Sequence, residues 1–446
     1  MVYVYEYLCV ILPRLSSANL LAIRCNKAMK GSILLTTQSS EIKAQSYRDS
    51  AQGWGVVIAG MVGLALGLSP LPFYTIGMFA PELAKAFGWT FTQLMTSVTV
   101  QSLVVVASGP IAGVALDRFG SRRVALVSVV LFGLCFMSLA LANGTLWVYY
   151  AQWVLMSALG AGTLTATWTR VINSWFDRQR GLALGVVSAG TGLTAFMVKP
   201  LTAWLIMNFG WRSAIAVVGA LPLLVALPLI YWLFREPPRV VVHGAVDPVE
   251  PGVTLSQALR DRRLWIMAIS FLLLAFALTA TTPNMENILK THHFTLPQIG
   301  AITASFGLAV IAGRVGGGLL LDRLWAPGCA LIVFIMPALG NAALAGGAIS
   351  ATTAIMAIVG MGLGTGFEFD LLAYLIARYF GRRQYGTIYG VFYIVIAVGG
   401  GLGPAVYGYV FDRMGSYALA MWSGVGCILA GSLLLLTMGP YPADVE

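Results

Sequence analysis

The sequence has few charged residues and few residues that bind metals or act as general bases. Only 10% of its 446 residues are charged and 58% are apolar, whereas soluble domains average about 25% charged and roughly 45–50% apolar. Its five cysteines share no metal-like spacing, and its three histidines form no ligand cluster. No nucleophile–base set or phosphate-binding loop stands out. These absences exclude a soluble domain, and we expect no metal, no cofactor and no enzyme activity.

The net charge of +10 on its own would suggest nucleic acid as a partner. The basic residues, however, lie in short clusters between apolar runs, as the positive-inside rule describes for membrane proteins. We therefore expect a lipid bilayer around the chain and no nucleic acid.

The apolar runs predict an all-α integral membrane protein with twelve transmembrane helices. They lie near residues 55–80, 92–115, 122–142, 147–171, 181–207, 212–234, 265–289, 298–321, 329–349, 352–378, 385–409 and 416–438. Loops after even-numbered spans carry most of the arginines. This asymmetry predicts a multi-pass protein of the cell (inner) membrane with both termini in the cytoplasm.

Changes in composition divide the chain into five predicted parts. They are a cytoplasmic segment (1–51), a six-helix bundle (52–234), a cytoplasmic linker (235–263), a second six-helix bundle (264–439) and a cytoplasmic tail (440–446). The linker is predicted to end in an interfacial helix from Thr254 to Trp265. A true start at Met29 would account for the unusual first residues.

Two charged segments recur at half the chain length. The segment Gly113–Arg123, between spans two and three, returns in shortened form as Gly318–Arg323. The segment Trp175–Gly185 likewise returns as Tyr379–Gly390. A hairpin repeated in the same order indicates two parallel repeats of a membrane bundle, and such bundles commonly move solutes.

The motif Gly113-x3-Asp117-Arg118-x-Gly120-x-Arg122-Arg123 resembles the loop 2–3 signature of the major facilitator superfamily. Gly53-Trp54-Gly55, the Trp175–Gly185 segment and Gly313-Arg314 are similar to its monocarboxylate-porter and oxalate–formate antiporter branch. The resemblance implies two pseudo-symmetric six-helix bundles, a central cavity and alternating access by rocking of the halves.

Charges at the inner loops are predicted to form a gate. Asp117 lies at a helix end beside Arg118, Arg122 and Arg123. Such charges can bridge to the other half when the inner mouth is shut and separate when it opens. Their repetition at Asp322 and Arg323 favours this gate over a turn held by local ion pairs. We expect a third copy, Gly408-x3-Asp412, to be a structural relic on the outer side.

Arg314 is the first candidate for substrate binding. It lies eight residues before Asp322, or roughly 12 Å from the inner face at 1.5 Å per residue, which is near the midplane. A guanidinium suits a carboxylate, and the resemblance implies an arginine with that role. Val310 stands where the animal porters have an acidic residue. The alternative is that Arg314 neutralises a helix acid.

Three acidic residues at membrane depth are candidates for proton coupling. Glu368 and Asp370 are two residues apart and so point to different sides of one helix. One can carry a proton, or one can be the counter-ion of Arg314. Glu286 precedes Lys290 by four residues, and this spacing favours an ion pair on the helix surface.

Lys199 is the second candidate for substrate binding, because it lies inside span five beside Pro200. The alternative is a lysine that snorkels to the outer headgroups. Four further polar or amphipathic residues are predicted to complete the pocket, namely Asn284, Tyr74, Tyr389 and Tyr393.

These patterns favour a monomeric secondary transporter for a small organic anion, with a mono- or dicarboxylate as the first expectation. Protons or a counter-anion would drive it. One alternative is an exporter of hydrophobic or cationic compounds, but span five lacks the glycine–proline pattern that is typical of such exporters. The other alternative is a non-transporting membrane sensor, which we disfavour because we find no appended cytoplasmic domain in the sequence.

Overall fold

The computed structural model describes residues 51–176, 179–237, 252–321, 323–347, 349–381 and 383–442. Several predictions therefore lie outside the described residues. They concern nearly all of the N-terminal segment, the central part of the linker (238–251), Asp322 and the end of the tail (443–446).

The described residues form fifteen α-helices and no β-strand. The helices of the first part are α1 (Ala51–Ala65), α2 (Pro70–Phe87), α3 (Phe91–Phe119), α4 (Ser121–Ser138), α5 (Leu146–Gly160), α6 (Thr165–Trp175), α7 (Arg180–Leu221) and α8 (Leu227–Leu233). Those that follow are α9 (Leu255–Ala258), α10 (Arg262–Thr291), α11 (Leu296–Leu321), α12 (Ala326–Leu344), α13 (Ala351–Phe380), α14 (Tyr385–Met414) and α15 (Ala418–Leu436). The prediction of an all-α membrane protein is confirmed.

Ten helical stretches in the described part of the chain are long and apolar enough to cross a membrane. The predicted span 147–171 is missing from these because a 3-10 turn, Ala161–Thr163, divides it into α5 and α6. Predicted spans five and six lie together in one stretch of 54 residues. That stretch bends at Gly210, whose φ of 77° suits a glycine. Each predicted span thus has a helical counterpart.

The predicted interfacial helix from Thr254 to Trp265 is shorter in the structure. Thr254 and Gln257 form a capping box at the start of α9, which ends at Ala258. A new helix, α10, then begins at Arg262. The side chain of Asp261 caps its start by accepting a hydrogen bond from the Arg263 N–H at 2.8 Å. Trp265 therefore belongs to the transmembrane helix α10.

The surface of the bundle and its interior differ as expected in a bilayer. Large apolar side chains such as Trp147 and Leu224 point outward and are exposed. Inside, glycines allow close helix contacts. A methyl group on Gly340 would lie 2.5 Å from the Ala357 carbonyl oxygen, so α12 and α13 nearly touch there.

We call residues 52–234 the first half and 264–439 the second half, after the predicted boundaries. We call the arginine-rich side of the bundle, predicted to be cytoplasmic, the inner side, and the opposite side the outer side. Among the described residues, three helix pairs form the most extensive contacts between the halves: α2 with α10, α3 with α14, and α7 with α11. Any path for a solute between the halves must run along these pairs.

Candidate functional site

The α7–α11 pair is packed on its outer half and separated on its inner half. A methyl group on Gly192 of α7 would lie 2.6 Å from the carbonyl oxygen of Gly307 on α11. Gly181 and Gly185 precede Gly192 by about three and two helical turns and share its face. A methyl group at either position would have no described atom within 4 Å.

The α3–α14 pair shows the same asymmetry. A methyl group on Gly401 would lie 2.9 Å from the Ser102 Cβ atom. On the same two helix faces nearer the inner side, Gly113 and Gly390 face space without a described neighbour within 4 Å. The halves therefore meet at the outer side and leave a mouth open toward the inner side.

Arg314 lies in this mouth. It follows Gly307 by two turns on α11, so it shares the face that points toward the first half. Its side chain is 16% exposed, and its Nη1 atom lies 3.4 Å from Oδ1 of Asp370, which is 38% exposed. The Arg314 Nε–H has no hydrogen-bond partner among the described atoms. Asp370 is thus the counter-ion that one hypothesis expected, but this long contact leaves donors available.

Tyrosines from two further helices lie near the guanidinium. Tyr74 of α2 and Tyr389 of α14 lie close enough to Arg314 to interact with its charge. Tyr389 stacks on Tyr385 at a centroid distance of 5.9 Å, and Tyr393 lies one turn further along α14. The structure thus brings two predicted site residues, Arg314 and Asp370, into contact, and Tyr74 and Tyr389 lie within electrostatic range of them.

Glu368 points elsewhere. It is buried, and its Oε1 atom has no hydrogen-bond partner among the described atoms. Gly364, one turn earlier on α13, packs against Pro337 of α12. Since Glu368 lies on nearly the same helix face, it faces the α12 side, away from Arg314.

The predicted surface ion pair between Glu286 and Lys290 is wrong. Glu286 is 3% exposed and forms an ion pair with Lys199, whose side chain is fully buried, whereas Lys290 is exposed. The reason is the close packing of α10 on α2, where a methyl group on Gly77 would overlap the Glu286 carboxylate. The snorkelling alternative for Lys199 is wrong as well, because its ammonium group bonds inward.

Two aromatic rings separate this ion pair from Arg314. The Phe306 ring lies 5.9 Å from Lys199 Nζ and 5.9 Å from the Tyr74 ring. Phe306 precedes Arg314 by eight residues, or about 12 Å toward the outer side. The two membrane-embedded cations therefore lie at different depths, with Tyr74 and Phe306 between them. The sequence carried no signal for Phe306, which resembles any core phenylalanine.

The motif aspartate binds within its own half. Asp117 Oδ1 accepts a hydrogen bond at 2.5 Å from Arg170 of α6, 53 residues later. Sequence reasoning missed Arg170, because it lies near the inner end of span four and outside the motif. A bond within the first half fits the open inner mouth, where the predicted bridge to the second half is not required.

The other predicted gating residues also have local environments. Arg118 lies over the Phe119 ring, and Arg122 donates to the Tyr231 carbonyl oxygen at 2.6 Å. Arg123 and Arg323 are exposed at the inner surface. Asp322 lies outside the described residues.

The third motif copy is more than the expected relic. Asp412, at the outer end of α14, accepts hydrogen bonds from the Phe91 N–H at 3.0 Å and the Thr92 N–H at 2.7 Å. These N–H groups belong to the first turn of α3, which has no intrahelical acceptors for them. Asp412 therefore ties the second half to the first at the outer side.

Asn284 is occupied by protein groups. Its Nδ2 atom donates to the carbonyl oxygens of Ala280 and Pro404, and its Oδ1 atom accepts from the Tyr417 hydroxyl. These bonds join α10 to α14 and to the segment before α15. The structure gives Asn284 a packing role and does not bring it to Arg314.

Comparisons with known proteins place this geometry in a family. The family model described as Major Facilitator Superfamily matches residues 43–404. The chain is 26% identical to monocarboxylate transporter 11 of Homo sapiens, over 86% of this chain and 83% of that protein. It is 24% identical to the probable sulfoacetate transporter SauU of Cupriavidus necator, over 86% and 94%.

A solved structure agrees with the fold. It is that of a bacterial homologue of the human lysosomal transporter Spinster, in an inward-facing and occupied conformation. It superimposes with a TM-score of 0.62 at 16% identity, and covers 86% of this chain and 94% of its own. The resemblance seen in the motifs, including that to monocarboxylate porters, is confirmed: the chain belongs to the Major Facilitator Superfamily of membrane transporters.

Proposed function

We propose that the protein is a secondary active transporter of a small organic anion, with a mono- or dicarboxylate as the preferred class. The family and the relatives named as monocarboxylate and sulfoacetate transporters support transport of such solutes. The observation that carries the proposal is Arg314, a half-buried cation in the inner mouth with an unpartnered Nε–H.

The chemistry around Arg314 suits a carboxylate. A guanidinium presents parallel N–H donors that match the two oxygens of a carboxylate. The 3.4 Å contact to Asp370 is weaker than a short charge-assisted hydrogen bond, so an incoming anion can displace it. The Tyr389 hydroxyl can add a hydrogen bond. A neutral or cationic solute brings no negative charge to replace Asp370, so displacing that carboxylate would leave Arg314 uncompensated in the membrane, which is costly.

Alternating access supplies the mechanism. The anion enters from the inner side, and the halves then rock so that the inner mouth closes and the outer side opens. Displacement of Asp370 from Arg314 leaves a carboxylate that can take up a proton, and the buried Glu368 is the second candidate for proton coupling. Exchange against another anion uses the same cycle without a net proton. The protein acts as a monomer in the cell (inner) membrane, with both termini in the cytoplasm.

Two variants of Arg314 test the proposal. Arg314→Lys keeps the charge but loses the planar fork, so apparent affinity for a carboxylate should fall at least tenfold while folding is preserved. The apparent affinity of Arg314→Ala should fall further. We would reconstitute the purified protein in liposomes and measure uptake and melting temperature with lactate, oxalate and sulfoacetate at two pH values, since a true ligand stabilises the protein.

The matched control is Arg260→Lys at the exposed inner surface, which should transport like the unmodified protein. If Arg314→Lys transports with unchanged apparent affinity, Arg314 is only a counter-ion and not the anion ligand. Stabilisation by organic cations, with none by the three anions, would favour the exporter.

A further inference from the structure

We propose that the ion pair of Lys199 and Glu286 is the lock of the outer gate, which must break each time the transporter opens outward. The inference rests on the alternating-access cycle proposed above. It does not depend on which solute is moved, so it can fail without affecting the proposed anion specificity.

The first observation is that the pair joins the two halves. Lys199 belongs to α7 of the first half and Glu286 to α10 of the second. Both lie on the outer side of the Tyr74–Phe306 ring pair. Since opening of the outer side moves the second half away from the first, the two side chains cannot stay bonded in that state.

The second observation is how completely the pair is enclosed. Lys199 has no exposed surface and Glu286 has 3%. The Glu286 carboxylate is pressed against Gly77 of α2, where even a methyl group would overlap it. Its Oε2 atom finds no hydrogen-bond partner among the described atoms. A buried carboxylate with one oxygen unsatisfied depends strongly on its single ion pair.

The third observation is that the surrounding contacts close the same side. Thr99 of α3 donates a hydrogen bond to the Gly401 carbonyl oxygen at 2.5 Å, and Gly300 of α11 packs against Pro200, the residue after Lys199. Opening the outer side must break these contacts together. Among them, the ion pair is the one with buried full charges, so removal of one partner should have the largest effect.

Glu286→Gln is the first test variant. It leaves Lys199 buried without a counter-charge while the outer gate is closed, whereas an open gate would let water reach the ammonium group. The equilibrium should therefore move toward the outward-open state by at least about tenfold. Lys199→Gln leaves Glu286 unpaired and should move it in the same direction.

Two reporter cysteines measure the shift in a background from which the five native cysteines have been removed. Ser188→Cys, a nearly isosteric change one turn before Gly192 on the inner-mouth face of α7, where Ser188 is half-buried, should be labelled by a maleimide when the inner side is open. Thr99→Cys, in the outer contact, should be labelled when the outer side is open. The full chain in nanodiscs exposes both sides to the reagent.

In the Glu286→Gln variant, labelling at position 99 should accelerate at least about tenfold, because the minor outward-open state becomes that much more populated, and labelling at position 188 should slow. Unfolding would accelerate both and is thereby distinguished from gating. Glu82→Gln is the matched control, because Glu82 is a half-buried carboxylate at the outer end of α2. It should leave both rates within twofold.

The charge swap Lys199→Glu with Glu286→Lys restores an ion pair and should return both rates toward those of the unmodified protein. The proposal is overturned if neither Glu286→Gln nor Lys199→Gln changes the two rates in opposite directions. It is also overturned if the swap shifts them as far as the single variants do.

Discussion

Gly181 and Gly318 should meet when the inner gate closes, and replacing either one should slow transport without destabilising the structure described here. Helices α7 and α11 run antiparallel and meet at Gly192 and Gly307. Eleven residues nearer the inner side, about three turns along each helix, stand Gly181 and Gly318. If the inner gate closes by rocking of the halves, Gly181 should contact Gly318 as Gly192 contacts Gly307.

The size of the expected effect on the closed inner gate follows from the contact between Gly192 and Gly307. A methyl group on Gly192 would lie 2.6 Å from the Gly307 carbonyl oxygen, far inside van der Waals contact. If the inner contact becomes equally close, alanine at Gly318 overpacks the closed state by about 1–3 kcal/mol. Each 1.4 kcal/mol is a factor of ten, so occupancy of the closed inner gate should fall roughly 5- to 150-fold.

The open state should tolerate the same change, since a methyl group on Gly318 has no described neighbour within 4 Å. We would compare turnover in liposomes and melting temperature for Gly318→Ala, Gly181→Ala and the control Gly316→Ala. Gly316 also faces open space but lies on the opposite face of α11. Turnover should fall in the first two variants and persist in the control, with similar melting temperatures. Equal turnover in all three would refute the predicted pairing.

Three further predictions concern charged groups. Asp412→Ala removes the hydrogen-bond acceptor for the N–H groups at the start of α3, which should weaken the outer contact between the halves by about 0.5–2 kcal/mol. Maleimide labelling of Thr99→Cys should therefore accelerate. An unchanged labelling rate would leave Asp412 without a gating role. One of the two variants Glu368→Gln and Asp370→Asn should abolish pH-driven accumulation but spare exchange of labelled for unlabelled anion, because it removes the group that carries the proton. If both variants lose both accumulation and exchange, proton coupling lies elsewhere. Asp117→Asn should lower the transport rate while apparent affinity stays nearly constant, and unchanged rates would reduce the motif to a topological signal.

Much of the architecture could be predicted because it depends on signals that are local in the chain. Hydropathy runs indicated the long transmembrane helices, and the repeated motif indicated two related halves. The depth of Arg314 followed from counting residues to the helix end. The pairing of Arg314 with Asp370 was among the stated alternatives, because both were predicted near the midplane.

Partner choice across the bundle could not be predicted in this way. The sequence favoured Lys290 for Glu286, since it is four residues away, yet the true partner is Lys199, 87 residues away. Asp412 likewise binds the start of α3, 320 residues earlier. A residue's depth depends on its own helix, but its neighbours depend on how helices rotate and pack against one another. The sequence alone therefore determined the fold class, the spans and the candidate charges, whereas only the tertiary structure decided which charges meet and which side of the bundle is closed.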